Sequence, residues 1–213
     1  DDEMWNKAEN ELREVLNELG IKYTEEIGEA AFYGPKLDVN VKPAVGAEYT
    51  LSTCQLDFCL PAKFNLKYID ENGERKTPVV LHRAILGSLD RFMAYILEET
   101  KGALPVWLAP VQVNIIPVNN EYHLEYAKEI EKMLEEANIR VKLDDRNEKL
   151  TYKMRESQTK KVPYTIIIGD KERDANTVTV RLHGTTENIT LDKDEFLSKI
   201  KEIIQNKNIK HDL

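Results

Sequence analysis

Four polar side chains stand out against an apolar background in the stretch Pro78–Leu97. They are His82, Arg83, Asp90 and Arg91, set among Val79, Val80, Leu81, Phe92, Met93, Ile96 and Leu97. Burying an unpaired charge costs several kcal/mol or more, so these cations need anionic partners. One partner is a phosphate, because an arginine beside the free amides of a helix start suits an anion. The other is a carboxylate that ties the helix to its sheet. A lone histidine in an apolar strand is more often a satisfied core residue than a metal ligand. Upstream, Thr53, Gln55 and Asp57 alternate and so share one face of a strand. A polar sheet face is either solvated or lines a site. Tyr33 and Lys36 flank a Gly34-Pro35 turn, in a loop whose polar groups are either ordinary surface or part of that site.

A second concentration of chemistry lies between Arg146 and Lys161. Six cations, Arg146, Lys149, Lys153, Arg155, Lys160 and Lys161, face only Glu148 and Glu156 there. Such a run is either a solvated helix face or a footprint on RNA, with cations on phosphates and groups such as Asn147 on base edges.

The elements that must position these residues are legible from periodicity. Trp5, Ala8, Leu12, Val15, Leu16 and Leu19 mark the buried stripe of a first helix, capped by Asp1 or Asp2 and ended by Gly20. A short extended piece spans Ile21–Tyr23. Strands are expected at Leu37–Val41, over YTLSTCQLDF, at Leu66–Ile69 and from Pro78, with a loop around Pro61 and a turn at Glu71–Glu74. Ser88 is placed to cap the helix that follows Gly87. Successive hairpins imply an antiparallel sheet with helices on one face, an α+β layer. From Trp107 the texture changes to VQVNIIPV, a helix over 121–137, IRVKL, a helix over 150–159, VPYTIIIG, TVTVRL and a closing helix over 192–206. Strand–helix alternation predicts parallel βαβ units, hence an α/β second domain. The division is expected at 1–108 and 109–213, with a loose tail from about Lys207.

Taken together, HRAILGSLDRF, AFYGPKLD upstream and WLAPVQV downstream resemble the class II aminoacyl-tRNA synthetases, and their order and spacing resemble the threonyl-tRNA synthetase family over the whole chain. HRAILGSLDRF looks like motif 3 of that class. The resemblance implies an incomplete antiparallel class II catalytic core joined to a βαβ-type anticodon-binding domain. It implies that Arg91 is the motif 3 arginine that pairs with ATP phosphates. Tyr33, Lys36, Thr53, Gln55 and Ser88 then belong to the threonine and ATP pocket, with Thr50 standing where some members have Gln. His82 matches one of three zinc ligands, a Cys and two His, in a metal site that reads the amino and hydroxyl groups of threonine. The other two ligands are not found here, so no stable zinc is expected in this chain alone. DDRNEKLTYKMRE and GDKE resemble the anticodon-binding domain shared by threonyl-, prolyl-, histidyl- and glycyl-tRNA synthetases. Residue by residue, Asn147, Lys149, Arg155, Glu172 and Arg181 match positions that contact anticodon bases, and Lys161 stands where an Arg is also found.

The resemblance therefore implies part of a ligase that activates threonine with ATP and Mg2+ and attaches it to threonine tRNA. The intact enzyme is expected to be a homodimer in the cytoplasm. Without motifs 1 and 2 this chain is not expected to aminoacylate. The competing reading is a stand-alone RNA-binding or regulatory module on the same fold. Tyr33, Lys36, Gln55, His82 and Arg91 favour the enzyme, since a pure RNA binder has no need of them. A nucleotide-binding α/β protein is disfavoured because no Gly-rich loop follows VQVNIIPV.

Composition agrees with these readings. The 213 residues carry a net charge of −8, which argues against indiscriminate nucleic-acid binding. A charged fraction of 32% and a mean hydropathy of −0.51 indicate a soluble protein, and its apolar runs are well short of a membrane span. The acidic N-terminus does not resemble a signal peptide. Cys54 and Cys59 are five apart in a segment expected to be extended, on opposite faces, which suits two reduced thiols.

Overall fold

The structure is a computed structural model that describes residues 2–210 and Leu213. The chain divides into two compact units, Asp1–Tyr95 and Ile96–Leu213.

The first unit opens with α1 (Asp2–Glu18), whose first turn carries Asp2 and Glu3 against the positive end of the helix dipole. A cap by Asp1 lies outside the described residues. Gly20 adopts φ +65° and ends the helix, with the Ile21 amide donating to the Leu16 carbonyl at 3.0 Å. Ala8 and Leu16 are buried, whereas Leu19 is 66% exposed, so only part of the expected stripe is covered. No strand forms at Ile21–Tyr23. Strands β1 (Lys36–Val41) and β2 (Tyr49–Asp57) are antiparallel. A short helix α2 (Leu60–Lys63) replaces the expected loop, with Pro61 in its first turn. Cys59 is the N-cap of α2, not a strand residue, and both cysteines are free thiols. The hairpin β3 (Tyr68–Ile69) and β4 (Arg75–Lys76) stands apart as a two-stranded sheet. Strand β5 (Val80–Ala84) returns to pair antiparallel with β2, giving the order β1-β2-β5. Gly87 then turns at φ +64°, where a Cβ would meet the Leu51 carbonyl oxygen at 2.5 Å. Ser88 accepts from the Arg91 amide at 3.3 Å and so caps α3 (Leu89–Glu99), as expected.

In the second unit the strands are β6 (Val113–Pro117), β7 (Val141–Leu143), β8 (Tyr164–Ile168), β9 (Thr177–Leu182) and β10 (Ile189–Asp192). The helices are α4 (Asn120–Glu136), α5 (Leu150–Thr159), α6 (Asp170–Ala175) and α7 (Lys193–Gln205). The sheet order is β10-β9-β8-β6-β7. Strands β7, β6 and β8 are parallel, joined by α4 and α5 as the alternation predicts. Strands β9 and β10 are antiparallel additions, so the sheet is mixed. Their connections are too short to carry the chain back to the starting end of the sheet, which parallel pairing requires. β10 and α6 escape sequence reading because each is short and polar. The core gathers Val113, Ile115, Ile130, Leu134, Ile166 and Phe196, all buried. Leu213 packs on this core, so the expected loose tail holds at least one anchored residue. His211 and Asp212 lie outside the described residues.

The loop after β7 is tied to α5 by charge. Arg146 donates to both carboxylate oxygens of buried Asp144, at 2.7 and 2.6 Å, and to Glu156 at 2.5 Å. Lys153, equally buried, donates to the Asp144 carbonyl at 3.0 Å. The hydrogen bonds from Arg146 hold the Asp144 carboxyl below the usual carboxylate range, outweighing the opposing effect of burial.

Two predictions follow from this packing. Ile166→Ala should cost about 2–5 kcal/mol, read by urea unfolding in a Trp5→Phe background so that Trp107 alone reports; a loss below about 1 kcal/mol would contradict the core assignment. For Asp144, the stability contribution is fully present above the unfolded carboxyl pKa of about 3.9 and is lost as pH falls through the depressed folded value. Asp144→Asn should therefore lower stability at pH 7 by about 2 kcal/mol and flatten the acid limb of a urea-midpoint profile. Equal stability of the two proteins at neutral pH would refute the role given to this pair.

Candidate functional site

Strand register assembles the first site. Lys36 pairs with Gln55, and Gln55 pairs with His82, so three chemically active side chains lie abreast across β1, β2 and β5. Cross-strand partners share a face, which places the polar residues of the sequence reading together. Tyr33 joins them because its loop is strapped along the end of β2. The Phe58 amide donates to the Tyr33 carbonyl at 3.3 Å, and the Leu56 amide to the Pro35 carbonyl at 3.0 Å. Between these bonds Gly34 lies so close that a Cβ would sit 2.1 Å from the Leu56 carbonyl oxygen. The Tyr33 hydroxyl donates to Gln55 Oε1, and the Tyr33 ring meets His82 edge-on at 5.7 Å between centroids. Lys36 pairs with Asp38 at 2.6 Å. The Thr53 hydroxyl is buried without a hydrogen-bond partner.

Asp57, two residues beyond Gln55, is fully buried and faces His82 Nε2 at 2.8 Å. Its other oxygen accepts from the amides of Cys59 and Leu60 at 3.0 and 2.9 Å. Burial opposes its charge, but the His82 ring and the two amides outweigh that cost and hold the carboxyl below its ordinary range. Sequence reading placed Asp57 on the polar face without a task. Its alternation with Thr53 and Gln55 was the available signal.

The arginines are held by neutral groups, which speaks against the carboxylate alternative within this chain. Arg83 donates to the Ser52 hydroxyl at 2.8 Å and to the Thr53 carbonyl at 2.9 Å. Arg91 donates to the Thr50 carbonyl at 3.3 Å and lies over the Tyr49 ring at 5.7 Å. Among the described residues neither makes an ion pair with a carboxylate, and both are exposed. The first turn of α3 thus presents a guanidinium without a carboxylate partner near the start of β2, an arrangement suited to an anion.

A metal centre does not fit the donor set by itself. Among the described residues no three His, Cys, Asp or Glu side chains gather to hold an ion. His82 is a single ligand whose neighbouring carboxylate is already spent on its ring and on two amides.

In the second unit, Arg155 and Arg181 line one cavity with Leu150, Met154 and Ile167. Gln158 fixes its rim, donating to the Leu182 carbonyl at 3.4 Å and accepting from the Gly184 amide at 3.0 Å. Arg181 donates to Asn188 at 2.9 Å, and the Arg155 guanidinium has no intramolecular partner among the described residues. Asn147 and Lys149 are exposed in the loop that leads into α5, where Lys149 is the N-cap. Glu172 is committed to its own fold, accepting from the Gly169 amide at 2.9 Å and the Thr179 hydroxyl at 2.6 Å. Lys161 lines a different cavity and donates to the Lys101 carbonyl. Most of the basic run is engaged within the chain. Arg146 and Lys160 pair with carboxylates and Lys153 and Lys161 donate to carbonyls, which leaves Lys149 and Arg155 as its cations without an internal side-chain partner among the described residues.

Comparison with known proteins identifies the family of both units. The family model of the tRNA synthetase class II core domain (G, H, P, S and T) matches residues 1–100, and that of the anticodon binding domain matches residues 112–203. The chain is 55% identical to the threonine–tRNA ligases of Staphylococcus aureus strains JH9 and Newman over 205 residues. That alignment takes in 96% of this chain but 32% of those relatives' length. The RNA binding domain of threonyl-tRNA synthetase from Cryptosporidium parvum Iowa II superposes with a TM-score of 0.85 at 37% identity, covering 95% of this chain and 51% of that one. This chain belongs to the threonyl-tRNA synthetase family, of which it carries part of the class II core followed by the anticodon-binding domain.

Proposed function

We propose that this chain supplies motif 3 and anticodon recognition to a threonine–tRNA ligase, with 1–108 as core segment and 109–213 as anticodon-binding domain. The intact cytoplasmic homodimer would activate threonine with ATP and Mg2+ and esterify threonine tRNA. In the first unit, Arg91 would take an ATP phosphate, and Tyr33, Lys36, Thr53, Gln55 and Ser88 would surround threonine and the nucleotide. His82 would contribute one of three zinc ligands, the other two coming from segments this chain does not hold. We expect no aminoacylation and no stable zinc from this chain alone, because one ligand does not make a three-ligand site.

The observation that carries the reading is the cavity lined by both Arg155 and Arg181 at the start of α5, the helix that the exposed Asn147 and Lys149 lead into. A free guanidinium suits bidentate contact with a base edge, and single-stranded anticodon bases can be splayed into such a cavity. Glu172 and Lys161 are already engaged, so they would act by exchanging an internal hydrogen bond for one to RNA.

Filter binding to threonine tRNA and to an anticodon-substituted tRNA, across a salt series, tests this. Arg155→Ala and Arg181→Ala should each cost about 1–3 kcal/mol on the cognate tRNA and little on the substituted one. Lys149→Ala, at a position also assigned to anticodon bases, should likewise weaken the cognate tRNA more than the substituted one. Equal binding of the wild type to both tRNAs would remove the anticodon assignment.

A further inference from the structure

A buried carboxylate beside an imidazole decides which ring nitrogen carries the proton. Asp57 Oδ2 lies 2.8 Å from His82 Nε2, and an ionised carboxylate can only accept. Nε2 must therefore be the N–H donor, and in the neutral ring Nδ1 keeps its lone pair. The carboxylate cannot turn away, because its Oδ1 is pinned by the Cys59 and Leu60 amides at the start of α2. Nδ1 has no partner among the described residues, and the His82 side chain is 45% exposed beside Tyr33 and Gln55. We infer that Asp57 is a positioning residue that locks His82 as the Nε2–H tautomer and presents Nδ1 as a lone-pair donor to whatever occupies the Tyr33–Gln55 row. The inference rests on the proposed function only for the identity of that occupant. A ligating or accepting histidine whose second nitrogen is held by a carboxylate is fixed in both ring orientation and tautomer.

Asp57→Asn separates this role from simple packing. The new side chain has the same shape, and its amide oxygen can keep the Cys59 and Leu60 bonds. Its NH2 group then faces His82, so Nε2 must accept and the proton moves to Nδ1, removing the lone pair from the exposed side. Long-range 1H–15N spectra of the 15N-labelled full chain, recorded at about pH 9, read this directly. His82→Gln assigns the resonances.

The wild type should show the Nε2–H form favoured about tenfold or more over the other tautomer. Asp57→Asn should invert that preference with the remaining amide spectrum unchanged. A wild-type His82 in the Nδ1–H form, or an even mixture, would overturn the inference, as would a folded Asp57→Asn protein with an unaltered tautomer. If the variant fails to fold, the wild-type spectrum alone decides. No ligand is present in these spectra, so the lock can stand or fall independently of the tRNA binding that tests the proposed function.

Discussion

A fully buried carboxylate at the end of the central strand is the constraint on which the first unit depends. Asp57 has no water to solvate it, so its charge must be met by protein donors. Two of those donors are backbone amides, and they start α2 directly after β2. The third is His82, which lies on the neighbouring strand and is brought there only if β2 and β5 adopt the observed register. A slip of one residue would turn His82 to the opposite face and leave Asp57 without its ring partner. The same register sets Gln55 opposite both Lys36 and His82. Satisfying one buried charge thus favours the β2–β5 alignment that sets His82 opposite Gln55, and the β1–β2 pairing adds Lys36 to the row.

The second unit applies the same logic with the signs distributed differently. Asp144 is buried where the chain leaves β7, and Arg146 and Lys153 approach it from the loop and from α5. Breaking such a cluster leaves a buried charge uncompensated, which costs more than the intact cluster gains. The β7–α5 loop is held by this requirement, and that loop carries Asn147 and Lys149. Structural electrostatics and the proposed RNA contacts are therefore neighbours in sequence but use different residues.

That division explains what was legible in the sequence. Alternation placed Thr53, Gln55 and Asp57 on one face, and the Ser88 cap and the parallel strands β6, β7 and β8 followed from local pattern. What composition could not reveal was which charges are already paired. Six cations in sixteen residues read as a basic footprint, yet Arg146 and Lys153 find partners through contacts between loop and helix, and Lys160 pairs with Glu156 one turn earlier in the same helix. For Arg91 a phosphate and a carboxylate were the two partners weighed, and within the chain it meets a carbonyl and an aromatic face instead of a carboxylate. Pairing is a property of three-dimensional neighbours, and the spacing of charges along a chain constrains it only within one helix. The α6 and β10 elements were missed for a related reason, because short polar segments owe their form to the β9 edge they pack on and not to their own periodicity.

The two units differ in how their apolar residues are used. The second unit buries a continuous core, whereas β5 and α3 of the first leave Leu81 and Leu89 55% and 70% exposed. Cooperative stability scales with apolar area removed from water, so the anticodon-binding unit has the larger reserve. The cost of holding Lys153 buried falls on that reserve. With a net charge of −8 and few unpaired cations in the 146–161 run among the described residues, this chain has little non-specific attraction for a polyanion. Discrimination in such a protein must come from a few directed contacts, and a guanidinium left free at the edge of a packed cavity is the group best suited to make one.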